Sequence, residues 1–541
     1  MDGVYYAIYC KNININKPKG FHMEVKAWNN VKNSNNIVLL EPKYSVNDEP
    51  SEFFKGMQEQ CNQVRNKFNT IRHFMVVVPG EILDLTLWTR ELQYWIENNE
   101  VHLALSLPVG AYEFWSKLEF KLRYPEQLSV FLYIDQNIRQ TLDLVKWLQE
   151  PVSAIVLSFG DEFEEFLSRD YIRQFLVMIC TQRKPLITLT MDSEQCTKTA
   201  DMILKYVKSL LIEGPNIMSI EEDVIRDPLQ PLRDDLSLDI YEVFERDENK
   251  YKMYENAIKQ ALFDLDRTCY STLTILVIGP GRGPLIDIVM RNSSQLKKPF
   301  KLVALEKNTT CSKILDKKNI EDWDNNVNII YDDLRHFIDN NQCQVCFNLI
   351  ISELLGSFAC NELSPEILDD CEKIRFADTI IIPTSYSNYI QPIYSPVLCQ
   401  MTNRIALEQP YVVNTKPYSI RQISDIYMAW DYRHPGQNSF SKEIHVVIDL
   451  PTKGEIVHGF LGYFQCNLYA DFNIGIHPNQ VGSMEYCSSW APLYFALREY
   501  ITDSFTFVLK RKFDKTSVWY EWGVNKVTNN IDGKVYRIGK N

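Results

Sequence analysis

The strongest constraint on the fold is an alternation that begins in the first third of the chain. Short aliphatic or β-branched runs closed by turn residues recur: NIVLLEP, HFMVVVPG, VHLALSLPVG, LSVFLYID, SAIVLSFG and PLITLTM. Amphipathic stretches such as LWTRELQYWIEN, IRQTLDLVKWLQE and FEEFLSRDYIRQFLVMIC separate them. Apolar runs of strand length alternating with segments of helical period imply βα units around a parallel sheet. The pattern fits a TIM-like (β/α) barrel, and an open sheet has the same periodicity. At 541 residues the chain exceeds a single core, so several domains are expected.

The texture changes twice more. Residues 219–240, SIEEDVIRDPLQPLRDDLSLDI, are turn-rich with little apolar period and read as a linker or strap after a first domain at 1–218. Residues 241–383 are again α/β, with strands in LTILVIGPGRGP, KLVALEK, NVNIIYDD and FNLIISE, and a Rossmann-like domain is expected there. From 384 to 541 strand-like alternation dominates, as in SKEIHVVIDL and SVWYEWGVNKV, with a hairpin signal at Asp532-Gly533, so an all-β, β-barrel-like domain is expected.

Charge and cysteine content exclude some classes. A net charge of −13 disfavours a protein that grips nucleic acid through its phosphates and suits basic partners. No apolar run approaches a membrane span, and the first residues lack the pattern of a secretory signal. Thirteen scattered cysteines, an odd number, point to a reducing cytoplasm or nucleus. Cys343-Gln-Val-Cys346 has no second pair and the histidines lack ligand spacing, so no metal site is expected. The acidic run at 161–166 reads as a helix start, and the N-terminal Trp and Phe residues read as core.

Chemistry concentrates in the middle domain. Gly279-Pro-Gly281-Arg-Gly283 follows a strand and precedes a helix-like segment, and the next strand ends on Glu306, 23 residues after Gly283. Such a loop lets backbone amides approach a nucleotide, and the acid can accept from ribose hydroxyls. NAD and S-adenosylmethionine are both candidates, and the G-x-G-x-G spacing leans to the latter. A third strand ends in Asp332-Asp333-Leu334, where a carboxylate can accept from an adenine amino group; His336 follows nearby.

The segment SELLGSFACNELSPE holds the most specific signal. Glu353 ends a very apolar strand and Glu362 follows nine residues later across a short loop. Two facing carboxylates repel unless a cation lies between them, and a planar guanidinium can meet both.

This segment resembles the double-glutamate loop of the protein arginine N-methyltransferase 5 family. YEVFERDENKY, PLQPLRDDL, VIGPGRGPL, ALEKN, HGFLGYF and VWYEWGV extend the likeness over about residues 228–541, while EFWSKLE is a shorter match in the N-terminal region. The resemblance implies that Glu353 and Glu362 grip the substrate guanidinium. It implies S-adenosyl-L-methionine bound by Gly279, Gly281, Glu306, Asp333 and Leu334, with Tyr241, Lys250 and Tyr251 completing the pocket.

Phe244 would mark the symmetric-dimethylating type, where asymmetric enzymes tend to carry Met, and Ser489-Trp490 would pack against the arginine opposite it. The family often has Phe after that Trp; here the residue is Ala491. The implied partners are arginine-bearing histone or RNA-processing substrates, further copies of the chain, and a WD-repeat protein on the N-terminal domain. A silent scaffold of the same fold and an asymmetric methyltransferase are the rival readings.

Overall fold

A computed structural model describes residues 222–540 except 294–296, 340–345, 404, 417 and 452–454. Before them it describes 6–10, 37–40, 73–79, 85–98, 102–135, 138, 144–158, 163–183 and 186–191. Cys343 lies outside the described residues. Two compact units divide after Glu222, with 395–401 and 415–421 grouping with the first.

The first unit is built on seven strands: β1 (Tyr6–Cys10), β2 (Ile37–Leu40), β3 (His73–Pro79), β4 (His102–Pro108), β5 (Leu128–Asp135), β6 (Val152–Ser158) and β7 (Leu186–Met191). Their order is β1-β7-β6-β5-β4-β3-β2, and every pairing is parallel. Helices Leu85–Asn98, Tyr112–Leu122 and Asp170–Arg183 alternate with them. Leu103, Leu105, Leu107, Leu132 and Ile134 form a core with the fully buried Trp115 and Trp147. Tyr112 and Trp115, in the EFWSKLE helix, each donate to one oxygen of buried Glu150 at 2.9 Å. No pairing of β1 with β2 is recorded among the described residues. The unit is therefore a parallel α/β sheet, and closure into a barrel is not shown.

The second unit begins inside the segment read as a linker. Val224–Arg226 forms strand β8, and a helix starts at Leu238. A five-stranded parallel sheet follows, of β9 (Leu273–Ile278), β10 (Phe300–Leu305), β11 (Val327–Ile330), β12 (Phe347–Ser352) and β13 (Arg375–Ile382), in the order β11-β10-β9-β12-β13. All six residues of β12 are buried, as expected of a central parallel strand covered on both faces. The helix Glu248–Asp266 buries Tyr254, Ala257, Ile258, Ala261, Leu262 and Leu265, one face at helical spacing.

From Ser385 the chain is β-rich, with a larger sheet and a four-stranded one. The hairpin read at Asp532-Gly533 proves to be a single 3-10 turn within a longer connection: Ser517–Val524 pairs with the two-residue strand Ile538–Gly539 through its first residues, Ser517 and Val518. Both turn residues keep positive φ, which is why the dipeptide resembles a hairpin signal. Among the described residues no helix is long and apolar enough to cross a membrane, and no cluster of three or more His, Cys, Asp or Glu could hold a metal ion.

Candidate functional site

Register places the chemistry. Ile278 pairs with both Leu305 and Ser352, so Gly279, Glu306 and Glu353 are the first residues beyond the carboxyl ends of three adjacent parallel strands. The chain runs outward from β9 through β10 to β11 and then returns to the other side of β9 as β12. Such a reversal opens a crevice at the strand ends. A cavity of about 660 Å³ lies there, within the usual range for a small-molecule site.

Its lining includes Tyr241, Phe244, Tyr251, Gly279, Gly281, Glu306, Asp333, Leu334, Glu353, Glu362, Ser489 and Trp490. Of the site residues read from the sequence, Lys250 is the one outside the lining. It stands directly behind Glu353.

The glycine loop forms a cradle. Gly281 has φ +56°, and a Cβ there would stand 2.9 Å from the Tyr241 ring, so glycine is required both by conformation and by close approach. The Gly281 N–H donates to Glu306 Oε2 at 2.8 Å and the Asn308 N–H to Oε1 at 2.7 Å. Burial nonetheless outweighs these donors and pushes the Glu306 carboxyl up to about 7. Asn308 also donates to the Leu236 carbonyl at 2.8 Å and to the Tyr241 hydroxyl at 3.2 Å, which fixes the tyrosine over the loop.

Asp333 has a charged partner that the sequence reading did not include. Burial raises its carboxyl, but the two-point contact of Arg335, at 2.8 and 2.7 Å, wins and holds it below its ordinary value. Accepting from an adenine amino group would use the remaining lone pairs. His336 is exposed and faces Asp332 at 3.4 Å, and it does not line the cavity.

On the other side of the crevice stand the two glutamates. The Lys250 ammonium, fully buried, lies 3.1 Å from Glu353 Oε1. It sits 4.8 Å from the ring centres of Tyr251 and Trp490 and 5.4 Å from that of Phe244. A buried ammonium needs a counter-ion, and Glu353 supplies it. The Lys250 head group is thus directed to the double-glutamate side of the cavity. Among the described residues Glu362 has no such partner: burial first, and the charge of Glu353 second, push its carboxyl well above the usual carboxylate range, with Lys250 pulling the other way. The two acids feel each other's charge and face one cavity.

The loop that carries Glu362 is anchored in the β-rich part. Phe358 is fully buried, with ring centres of Trp430, Phe495 and Tyr520 at 5.7, 5.5 and 6.0 Å. Asn361 Oδ1 accepts the Phe358 N–H at 2.6 Å, and Asn388 donates to the Phe358 carbonyl at 2.5 Å. Buried Arg511 pairs with Glu366 at 2.9 Å. The Trp490 indole donates to the Leu355 carbonyl at 2.9 Å, fixing its plane against the same loop. Ser489 Oγ has no hydrogen-bond partner among the described residues. Asn308, Asn361 and Arg335 were missed by the sequence reading. The first two lie inside quoted motifs, and an amide beside a functional acid was the available signal.

Comparison with known proteins places the chain in a family. Residues 215–382 match the family described as PRMT5 arginine-N-methyltransferase and residues 385–539 the PRMT5 oligomerisation domain. Protein arginine N-methyltransferase skb1 of Schizosaccharomyces pombe is 30% identical over 450 residues, covering 76% of this chain and 70% of that one. Protein arginine N-methyltransferase 5 of Xenopus laevis is 28% identical over 481 residues, covering 82% and 74%. Among solved structures, the Trypanosoma brucei PRMT1 enzyme-prozyme complex with AdoHcy aligns with a TM-score of 0.43 at 13% identity, covering 56% of this chain and 97% of that one. The chain therefore belongs to the protein arginine N-methyltransferase 5 family of S-adenosylmethionine-dependent enzymes.

Proposed function

We propose that the chain methylates arginine in flexible Gly/Arg-rich or basic protein segments, giving monomethyl- and symmetric dimethylarginine. The observation that carries this reading is a single cavity with a glycine-and-acid cradle on one side and two mutually repelling glutamates on the other. S-adenosylmethionine, when bound, supplies an electrophilic methyl group on a sulfonium. Gly279, Gly281, Glu306 and Tyr241 fit its nucleoside part, since they combine close backbone approach with a buried acceptor.

The acceptor arginine carries a proton that costs about 7 kcal/mol to remove at neutral pH, taking a reference pKa above ~12. Prior deprotonation is therefore disfavoured. Glu353 and Glu362 instead hold one terminal nitrogen in line and concentrate electron density on it. Glu353 is already balanced by Lys250, whereas Glu362 is destabilised as an anion until a guanidinium enters. The proton leaves the methylated nitrogen late in the transfer or after it. Phe244 and Trp490, both within cation–π range of one buried ammonium, flank the guanidinium plane and bias which nitrogen meets the second methyl. Phe244 is the basis for assigning the symmetric product.

The parallel pairing of β1 with β7, the first and last of the seven strands in chain order, supports a closed (β/α) barrel. The match of residues 385–539 supports self-association. The acidic balance of the chain suits basic substrates in cytoplasm and nucleus.

The test is transfer from methyl-labelled donor to a Gly-Arg-Gly peptide, with fragmentation of the product. Mono- and symmetric dimethylarginine are expected. Asymmetric product would overturn the assignment made from Phe244, and no transfer would return the chain to a scaffold.

A further inference from the structure

We propose that Asp247 is a positioning residue that keeps the aromatic walls of the acceptor site in register, so that peptide affinity and the second methyl transfer depend on it. The inference rests on the arginine-methylating reading above. Asp247 is 3% exposed and lies between the helix Leu238–Glu245, which carries Tyr241 and Phe244, and the helix Glu248–Asp266, which carries Lys250 and Tyr251. Its main-chain N–H donates to the Phe244 carbonyl at 3.3 Å, and its own carbonyl accepts from the Tyr251 N–H at 3.3 Å. Oδ1 accepts the Lys250 N–H at 3.2 Å, capping the second helix. Oδ2 accepts the Ser489 N–H at 2.8 Å, from 242 residues away. One residue thus ties Phe244, Lys250, Tyr251 and the Ser489-Trp490 loop together.

Helix capping alone does not explain this choice of side chain. Ser, Thr or Asn would each satisfy a cap with one oxygen. Two N–H donors converging from opposite sides need two acceptors and no donor, which a carboxylate alone supplies. Asparagine would turn its NH₂ against one of the amides, and serine would reach only one. Asn249 reinforces the tie, donating to the Tyr486 carbonyl at 3.1 Å. Trp490 itself is bonded to Leu355 of the double-glutamate loop, so loosening Ser489 alters the spacing between the indole and Phe244.

Asp247→Ser separates cap from latch. The full chain carrying it should keep its melting temperature within a few degrees and its S-adenosylmethionine affinity within about twofold, while KM for a Gly-Arg-Gly peptide rises roughly tenfold. Peptide affinity measured with S-adenosylhomocysteine bound should weaken by a similar factor, and the product should shift towards monomethylarginine. Wild-type KM and product ratio in this variant would overturn the proposal. So would a joint loss of melting temperature and cofactor affinity with peptide KM unchanged, since that is the signature of a cap alone. If Asp247→Ser does not fold, Asn249→Ala leaves the cap intact and should raise peptide KM about two- to threefold; no rise would overturn the proposal. Absence of arginine transfer by the wild-type chain would instead sink the underlying reading, and the two failures are distinguishable.

Discussion

Glu306 sits between opposing influences. Two main-chain N–H groups stabilise its anion, yet burial dominates and its carboxyl titrates near 7 rather than at its ordinary 4.5. The folded chain therefore binds this proton more tightly than the unfolded one. The corresponding share of stability is complete below pH ~4.5 and is lost as the pH rises through about 7. Cofactor affinity should run the other way, because only the ionised carboxyl is a full acceptor for two ribose hydroxyls. Calorimetry of S-adenosylmethionine binding should show affinity falling from pH about 8 to about 6, and Glu306→Gln should flatten that dependence. A pH-independent affinity in the wild type would contradict this role. Glu306 was legible in the sequence as an acid closing an apolar run. The hold of Arg335 on Asp333 and the turn of Lys250 towards Glu353 were not, because side-chain direction follows from the cavity and its charges rather than from spacing.

At the scale of elements, the loop between Glu353 and Glu362 is positioned by partners remote in sequence. Asn388 and Arg511 reach its Phe358 and Cys360 carbonyls from 30 and 151 residues away. That dependence could not be read from the loop itself, although its buried strand and paired acids could. It also gives a reason for the second glycine of HGFLGYF. A Cβ on Gly462 would stand 2.7 Å from the Phe358 ring, which Trp430, Phe495 and Tyr520 prevent from yielding. Gly462→Ala should cost about 1–3 kcal/mol of stability through overpacking. It should also lower kcat by about 10–100-fold through a shifted Glu362, with cofactor affinity nearly unchanged. Denaturant titration and steady-state kinetics check both; wild-type kcat would show that the loop is not held from this side.

Over the whole molecule, the alternation of apolar runs located β2 to β7 to within a residue or two, because each of these strands is written as a short apolar run closed by turn residues. β1 was missed: two of the five residues of YAIYC are aromatic and it lacks a long aliphatic run, so only its pairing with β7 marks it as a strand. The match of residues 385–539 to an oligomerisation domain predicts a particle heavier than one 63.3 kDa chain. Light scattering on the purified protein should give at least twice that mass, and a monomer at micromolar concentration would contradict it. The central claim is that Glu353 and Glu362 act on the acceptor nitrogen, apart from cofactor binding. Glu353→Gln tests it most directly, with methyl transfer to a Gly-Arg-Gly peptide and S-adenosylmethionine affinity measured on the same preparation. Turnover should fall by about 10²–10³-fold while affinity for the donor stays within a few-fold of wild type. Retained turnover, or loss of both together, would contradict the account.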